Sequence, residues 1–387
     1  MSGRLPVLED LPELAGKRVL LRADFNVPVF DGPDGTRVIT DDYRIRATLP
    51  TIRWLQDHGA AVTACSHLGR PKGRPDPAFS IEPVRRRLEE LVQGVELLEN
   101  LRFSPGEEAN DPAFVDQLVA GHDAYVNDAF GASHRAHASI VGPPSRLPSA
   151  AGRLLAREVE VLSSLLGEPE RPFVAVVGGA KIADKLGVLK ALAAKVDVLV
   201  VGGGMSYTFL KALGHEVGAS LLDEGHVASC AELLKSGTEI LLPSDVVALA
   251  PGSSIHRAEP VPEGESIEVF GEDIPEGWEG ADIGPETRRR FAEVIASART
   301  VLWNGPMGAF EDERLSAGTR AVAEAVASCP GFTVVGGGDS VSALNSYGLA
   351  DRIDHVSSGG GASLELIELG DLPGLTALRG ASNAPAA

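Results

Sequence analysis

Short, nearly continuous apolar runs recur along the chain, each followed by a longer stretch in which apolar residues return every three or four positions. The early runs lie in RVLLRADF, AVTACSHLG, VELLENLRF and DAYVNDAF. The later ones lie in PFVAVVGG, DVLVVGGG, TEILLPSD, TVLWNGPMG, FTVVGGGD and IDHVSSGGG. A short run that is apolar on both faces reads as a strand covered on both sides, and such strands alternating with helical segments read as βα units in parallel sheets. The pattern predicts an α/β chain with two doubly wound parallel-sheet, Rossmann-like domains. Between the two groups lies GPPSRLPSAAGRLLAREVEVLSSLLGEPERP, where prolines flank a helical repeat of Leu154, Leu155, Val159, Leu162, Leu165 and Leu166. This segment predicts a connector helix with a boundary near 168–172, hence domains at 1–170 and 171–365. A ligand cleft is expected between them, where two-lobed proteins most often place one.

In open parallel sheets, ligands bind outside the carboxyl ends of the strands, and here the two groups end differently. The first group is tipped by Arg22, Asp24 and Asn26, then His67 and Arg70, then Arg102, with Arg135 soon after the fourth strand. The second is tipped by glycines: Gly178 and Gly179, Gly202 to Gly204, Gly305, Gly336 to Gly338, and Gly359 to Gly361.

Composition narrows the function. A chain of 387 residues with 44% hydrophobic content can bury a core in each of two domains. No apolar stretch approaches the roughly 20 residues of a membrane helix, and prolines and charges interrupt the first 20 residues, so a cytoplasmic protein is expected. The net charge of −19 argues against general affinity for nucleic acid or anionic membranes. The three cysteines, Cys65, Cys230 and Cys329, have neither disulfide-framework nor zinc spacing and read as small apolar residues.

Arginines gathered at one sheet edge suit carboxylate and phosphate, because the guanidinium fork binds such groups bidentately and keeps its charge. One arginine alone reads as a structural ion pair; repetition at strand ends changes that. The runs Arg85 to Arg87 and Arg288 to Arg290 fall in helical segments and read as solvated faces. Glycines between a strand and a helix let backbone N–H groups approach phosphate, although a tight turn also wants glycine for steric reasons. Lys181 and Lys185, four apart in GGAKIADKLG, are expected at the start of a helix, where an anion would relieve them. Asp339, after Gly336 to Gly338, is placed either to cap a helix or to hold a magnesium ion with nucleotide phosphates. Neither the P-loop pattern, the dinucleotide fingerprint nor the protein-kinase motif set is present.

The segments LRADFNVP, DDYRIRATLPTI, SHLGRPKG, LENLRF, NDAFGASHRAH, VVGGAKIADKL, VVGGGMSYTFLKALG, DIGPET, WNGPMGAFE, VVGGGDSVSAL and HVSSGGGASLELIELGDLPGL resemble the phosphoglycerate kinase family, in order and over essentially the whole chain. The resemblance implies a glycolytic enzyme, a monomer, that passes phosphate reversibly from 1,3-bisphosphoglycerate to ADP, giving 3-phosphoglycerate and ATP. It assigns Asp24, Asn26, Arg44, His67, Arg70, Arg102 and Arg135 to the phosphoglycerate site, with Arg22 in the same basic patch. It assigns Lys181, Lys185, Gly284, Asn304, Glu311, Gly337, Gly338, Asp339 and Ser340 to nucleotide and Mg²⁺, with Glu311 on the ribose. It also implies that residues 366–387 return to the first domain. Departures are small: Glu286 stands where lysine is common, Ser358 where threonine is usual, and the loop VFDGPDGTRVIT is slightly long.

Both possible acceptors, a carboxylate and a nucleotide phosphate, are already ionised near neutral pH, so no general base is needed. His67 and Asp24 are therefore expected to bind and orient, and His134 and His137 to be structural. Arg44 from one domain and Lys181 and Lys185 from the other are expected to meet the transferring phosphate. Pro50 leaves open whether Arg44 lies on a helix or just before one. Lobe closure is expected, with hinges in 153–172 and 357–361. The alternatives are a two-lobed anion-binding protein without catalysis, which two chemically distinct half-sites disfavour, and an NAD-dependent dehydrogenase, which the missing fingerprint disfavours.

Overall fold

The structure is a computed structural model that describes residues 3–32, 36–253, 255 and 266–381. The chain divides into two compact units, Met1–Leu162 with Leu369–Ala387, and Ser163–Glu368. The division falls inside the helix Arg153–Leu166, the connector predicted from its apolar repeat.

The first unit is built on a five-stranded parallel sheet in the order Val95–Leu97, Ala61–Cys65, Arg18–Arg22, Ala124–Asn127, Ser149–Ala151. The chain starts in the middle, moves outward on one side and then crosses to the other. The crevice between Arg18–Arg22 and Ala124–Asn127 is thus the topological switch point. Val19 and Leu21 bury one face of the central strand against Ile45, Ile52 and Leu55 of the helix Tyr43–Asp57. That helix runs on past Pro50, whose ring lies on the exposed side, and so Arg44 is its second residue. The helix Pro373–Ala381 packs on Ala138–Val141 and Ser149–Ala151, and the Gly374 N–H donates to the Ser133 carbonyl at 2.9 Å. The long loop VFDGPDGTRVIT forms a hairpin of Val29–Asp31 and Arg37–Ile39, and its tip at 33–35 lies outside the described residues.

The second unit has a six-stranded parallel sheet ordered Glu239–Leu241, Val198–Val201, Phe173–Val177, Thr300–Asn304, Phe332–Gly336, His355–Val356. This is the doubly wound order, with its switch point between Phe173–Val177 and Thr300–Asn304. Both central strands are buried along their whole length, one face meeting Phe291, Ile295, Val322 and Val326. A three-stranded antiparallel sheet of Ile267–Phe270, Val246–Leu249 and Glu279–Ile283, absent from the sequence reading, joins this unit. Its strands pair antiparallel, and among the described residues no helix separates them, so they carried no βα signature.

Two expectations are corrected here. Lys185 is the N-cap of its helix Leu186–Ala193, as expected, but Lys181 lies before it: Ile182 is buried, and its carbonyl accepts from the N–H groups of Lys185 at 3.0 Å and Leu186 at 2.9 Å, closing a turn first. The arginine runs are not uniformly solvated. Arg85 and Arg87 are half-buried; Arg87 contacts Asp42 at 2.8 Å, and Arg85 donates to the Leu97 carbonyl. Asp42 directly precedes the helix that carries Arg44.

Candidate active site

At the carboxyl edge of the first sheet, the polar strand tips converge. Arg44 pairs with Asp24 at 2.9 Å, and the Asp24 carboxylate also accepts the Asn26 N–H at 3.2 Å. The Asn26 side-chain oxygen accepts the Gly69 N–H at 2.9 Å, which ties the loop after the central strand to the loop that carries His67 and Arg70. Arg102 reaches the same loop by donating to the Gly69 carbonyl at 2.8 Å and is paired with Glu108 at 3.3 Å. Arg70 and Arg135 are exposed at this edge, and Arg135 lies close enough to Arg102 and His137 to disfavour charge on both.

The electrostatics follow from this crowding. Burial pushes the Asp24 carboxyl up, but Arg44, then His67 and Arg22, outweigh it and hold the group below its ordinary value. Burial drives His67 well below the usual imidazole range, Asp24 opposes this, and Arg22, Arg102 and Arg44 add to it. His67 is therefore neutral at pH 7, and Asp24 is a weak base. Burial, then Arg102, Arg22 and Arg135, push His137 down to about 4. Arg22 departs from a simple basic-patch residue: it is 1% exposed, and all three guanidinium nitrogens are engaged within the protein.

In the second unit, a cavity of about 370 Å³ lies at the switch point. Lys181, Lys185, Asn304, Gly337, Gly338, Asp339 and Ser340 all line it, as do Gly360 and Gly361. The Lys185 ammonium donates to the Asn304 side-chain oxygen at 2.6 Å. Burial lowers Lys185 to about 8, opposed by Asp339 and Asp184. The helices Gly338–Ser346 and Gly361–Leu369 begin at the cavity wall, so two positive helix ends and two ammonium groups face one space. A second cavity of about 290 Å³ shares Gly179, Ala180, Pro306 and Asp339 with the first. Its lining adds the side chains of Leu221, Ile255 and Ala309, and the carboxylate of Glu311. A chamber lined by ammonium groups beside one that adds apolar side chains suits a phosphate chain joined to a flat heterocycle.

The glycines divide by what surrounds them. Gly305 has φ 96°, and a Cβ there would lie 2.2 Å from the Gly178 carbonyl oxygen, so glycine is required for the two central strand ends to touch. Gly338 has no atom within 4 Å of a Cβ position and simply faces the cavity. Ser340 is buried, and its hydroxyl accepts the Gly305 N–H at 2.6 Å, so its side chain braces the turn. Gly284 lines neither cavity: it precedes the helix Pro285–Ser297, and a Cβ would collide with Asp245, whose carboxylate accepts the Glu286 and Thr287 N–H groups.

Several residues here escaped sequence reading. Asn100, buried, donates to the Leu68 and Phe79 carbonyls at 2.7 and 2.8 Å and so positions the loops around Arg102. Its place just before a short helical turn was the available signal, since asparagine is a preferred cap. Pro306, Tyr207 and Leu221 line the second cavity without any spacing to mark them.

A family model described as phosphoglycerate kinase matches residues 8–96 and 92–369. The phosphoglycerate kinase of Salinispora arenicola is 51% identical over 96% of this chain and 98% of its own, and that of Rubrobacter xylanophilus 50% identical over 95% and 96%. Among solved structures, phosphoglycerate kinase from Coxiella burnetii matches with a TM-score of 0.86 at 36% identity, covering 97% of this chain and 99% of its own. The fold order, the two tipped sheets and these likenesses agree: the chain belongs to the phosphoglycerate kinase family.

Proposed function

We propose that this chain transfers a phosphoryl group reversibly between 1,3-bisphosphoglycerate and ADP, with 3-phosphoglycerate and ATP as the other pair. In this reading the arginine-tipped edge of the first unit holds the phosphoglycerate, and the two joined cavities of the second hold the nucleotide. The observation that carries it is the pair of cavities at the second switch point that share four residues, one lined by ammonium groups and helix starts, the other adding the apolar side chains of Leu221 and Ile255 and the carboxylate of Glu311.

The roles follow from the chemistry. Asp24 is held ionised and weakly basic by Arg44, so it orients rather than abstracts a proton. Neutral His67 offers one hydrogen bond without adding charge to a site already rich in arginine. Arg44, half-exposed at the start of its helix, is free to turn its remaining donors to an anion. Lys185 is fixed by Asn304 and meets charge building on the transferred group, with Lys181 beside it. Asp339, exposed on the wall common to both cavities, fits the single protein carboxylate with which nucleotide-bound Mg²⁺ is commonly held. When bound, Mg²⁺ neutralises phosphate charge.

Purified protein given 3-phosphoglycerate, ATP and Mg²⁺, coupled to a dehydrogenase that reduces the acyl phosphate, is expected to consume NADH. Folded protein that binds nucleotide yet shows no turnover would leave a binding protein as the better description. Among the described residues, no helix is long and apolar enough to cross a membrane.

A further inference from the structure

Behind the arginine-tipped edge lies a buried polar chain that the transfer chemistry does not use. Glu107 sits on the short helix Pro105–Glu108 and is completely buried. One of its oxygens accepts the Ser139 N–H at 2.9 Å, and the other accepts the Ser139 hydroxyl at 2.6 Å. The same hydroxyl lies 2.8 Å from Arg22 Nε, and Arg22 Nη2 lies 3.2 Å from His67 Nδ1.

Elementary donor counting fixes every direction in this chain. A guanidinium only donates, so the serine oxygen must accept from Nε, and its single proton must go to Glu107. Arg22 Nη2 likewise donates, so His67 Nδ1 must be the bare nitrogen, and the proton of the neutral ring sits on Nε2. The remaining guanidinium nitrogen is held by the Ala23 carbonyl. Each guanidinium nitrogen of Arg22 thus has a partner within the protein, and its charge, 1% exposed, lies between Glu107 behind and Asp24 in front.

We propose that Glu107 and Ser139 are positioning residues: through Arg22 they hold His67 in the Nε2–H tautomer that presents a hydrogen-bond donor to phosphoglycerate. This rests on the reading of His67 as part of the phosphoglycerate site. The surroundings agree. Tyr125 donates to the Ser139 carbonyl at 2.7 Å and fixes that backbone, while His137 Nδ1 stands 3.9 Å from Glu107 and is kept neutral by burial and by Arg102, Arg22 and Arg135. The groups that act on His67 are Asp24, Arg22, Arg102 and Arg44, and Arg22 is the one bonded to its ring. A supporting carboxylate that fixes an imidazole tautomer through an intermediary is the logic of outer-shell partners at metal-bound histidines.

The test is Ser139→Ala in the full chain, with Ser139→Cys as a near-isosteric second variant should the first fold poorly, and Ser139→Thr to restore the hydroxyl. Nitrogen-15 NMR of histidine-labelled, ligand-free protein should show His67 as the Nε2–H tautomer in the parent chain and a mixture in the alanine variant. The KM for 3-phosphoglycerate should rise about tenfold while the KM for ATP stays within about twofold. Ser139→Thr should recover both. An unchanged tautomer in a folded variant overturns the relay itself. An altered tautomer with an unchanged KM overturns the placing of His67 in the phosphoglycerate site, and with it the functional half of the proposal.

Discussion

The two large sheets share one winding and differ at their tips. Each begins in the middle, runs outward and then crosses over, so each has a switch point between its first and fourth strands, and each gathers its polar groups there. The fold fixes the place; the tips fix the chemistry. In the first unit an anion would be met by side chains, and every buried guanidinium then needs a compensating carboxylate: Asp24 and Glu107 around Arg22, Glu108 beside Arg102. In the second unit the anion would be met by Lys181 and Lys185 together with backbone N–H groups at helix starts, which carry no net charge to desolvate but demand close backbone approach. The first site should therefore be fragile to changes of charge, and the second to changes of size as well as of charge.

The largest effects should come from the cations assigned to the moving phosphate. Arg44→Ala and Lys185→Ala should each reduce kcat by about 100-fold or more, with smaller changes in KM, because an interaction made mainly in the transition state is lost from the rate. Steady-state kinetics in both substrates decides this. A variant of Arg44 with normal kcat and only a raised KM for 3-phosphoglycerate would make it a binding residue, and the symmetry between the two units would fail.

Intermediate effects should separate the units cleanly. Gly305→Ala forces a Cβ to within 2.2 Å of a backbone oxygen and 2.9 Å of the Lys185 ammonium, at a φ of 96°. It should raise the KM for ATP about tenfold or more, leave that for 3-phosphoglycerate nearly unchanged, and cost about 1–3 kcal/mol in stability. Arg102→Ala should do the reverse, weakening 3-phosphoglycerate about tenfold and sparing ATP. If both variants moved both constants equally, side-chain and backbone recognition would not be divided between the units.

The parts of this arrangement visible in the sequence are those with local signatures. Parallel strands announce themselves as apolar runs, and a strand tip is whatever residue follows the run, so Arg22, His67, Gly305 and Gly337 could be placed on their edges, whereas Asn304 came only from the resemblance. What stayed hidden depends on partners distant in the chain. Glu107 meets Ser139 across 32 residues and Asn100 meets Leu68 across the same span. A glutamate in SPGEE looks like any helix-start acid. Burial is similarly silent: nothing in RVLLRADF separates an arginine that faces a ligand from one that is sealed behind it. The turn that delays the helix after Lys185 depends on Ile182 being buried, which an i, i+4 pattern cannot reveal.

The smallest effect on turnover, and the cleanest test of stability, concerns a carboxylate in each unit that belongs to neither site. Asp128 follows the strand Ala124–Asn127 and accepts the Leu155 N–H at 3.2 Å, and burial raises its pKa to about 6. Asp282, 2% exposed on the strand Glu279–Ile283, accepts the Gly318 N–H at 2.7 Å, and burial raises it to about 7. For both, the folded state holds its proton to higher pH than the unfolded chain, where aspartate titrates near its ordinary value of 3.8. Their contribution to stability is thus fully present below that ordinary value and is lost as pH rises through about 6 and about 7. Asp282→Asn keeps an oxygen for the Gly318 N–H and removes the titration. It should raise Tm at pH 8 by about 2–6 °C, raise it by less than half as much at pH 5, and leave kcat unaltered. Thermal melts of parent and variant across pH 4–9 make the comparison. Parallel curves would mean that Asp282 is already charged and solvated in the native protein, and the second unit would then have no buried acid to set beside Asp128.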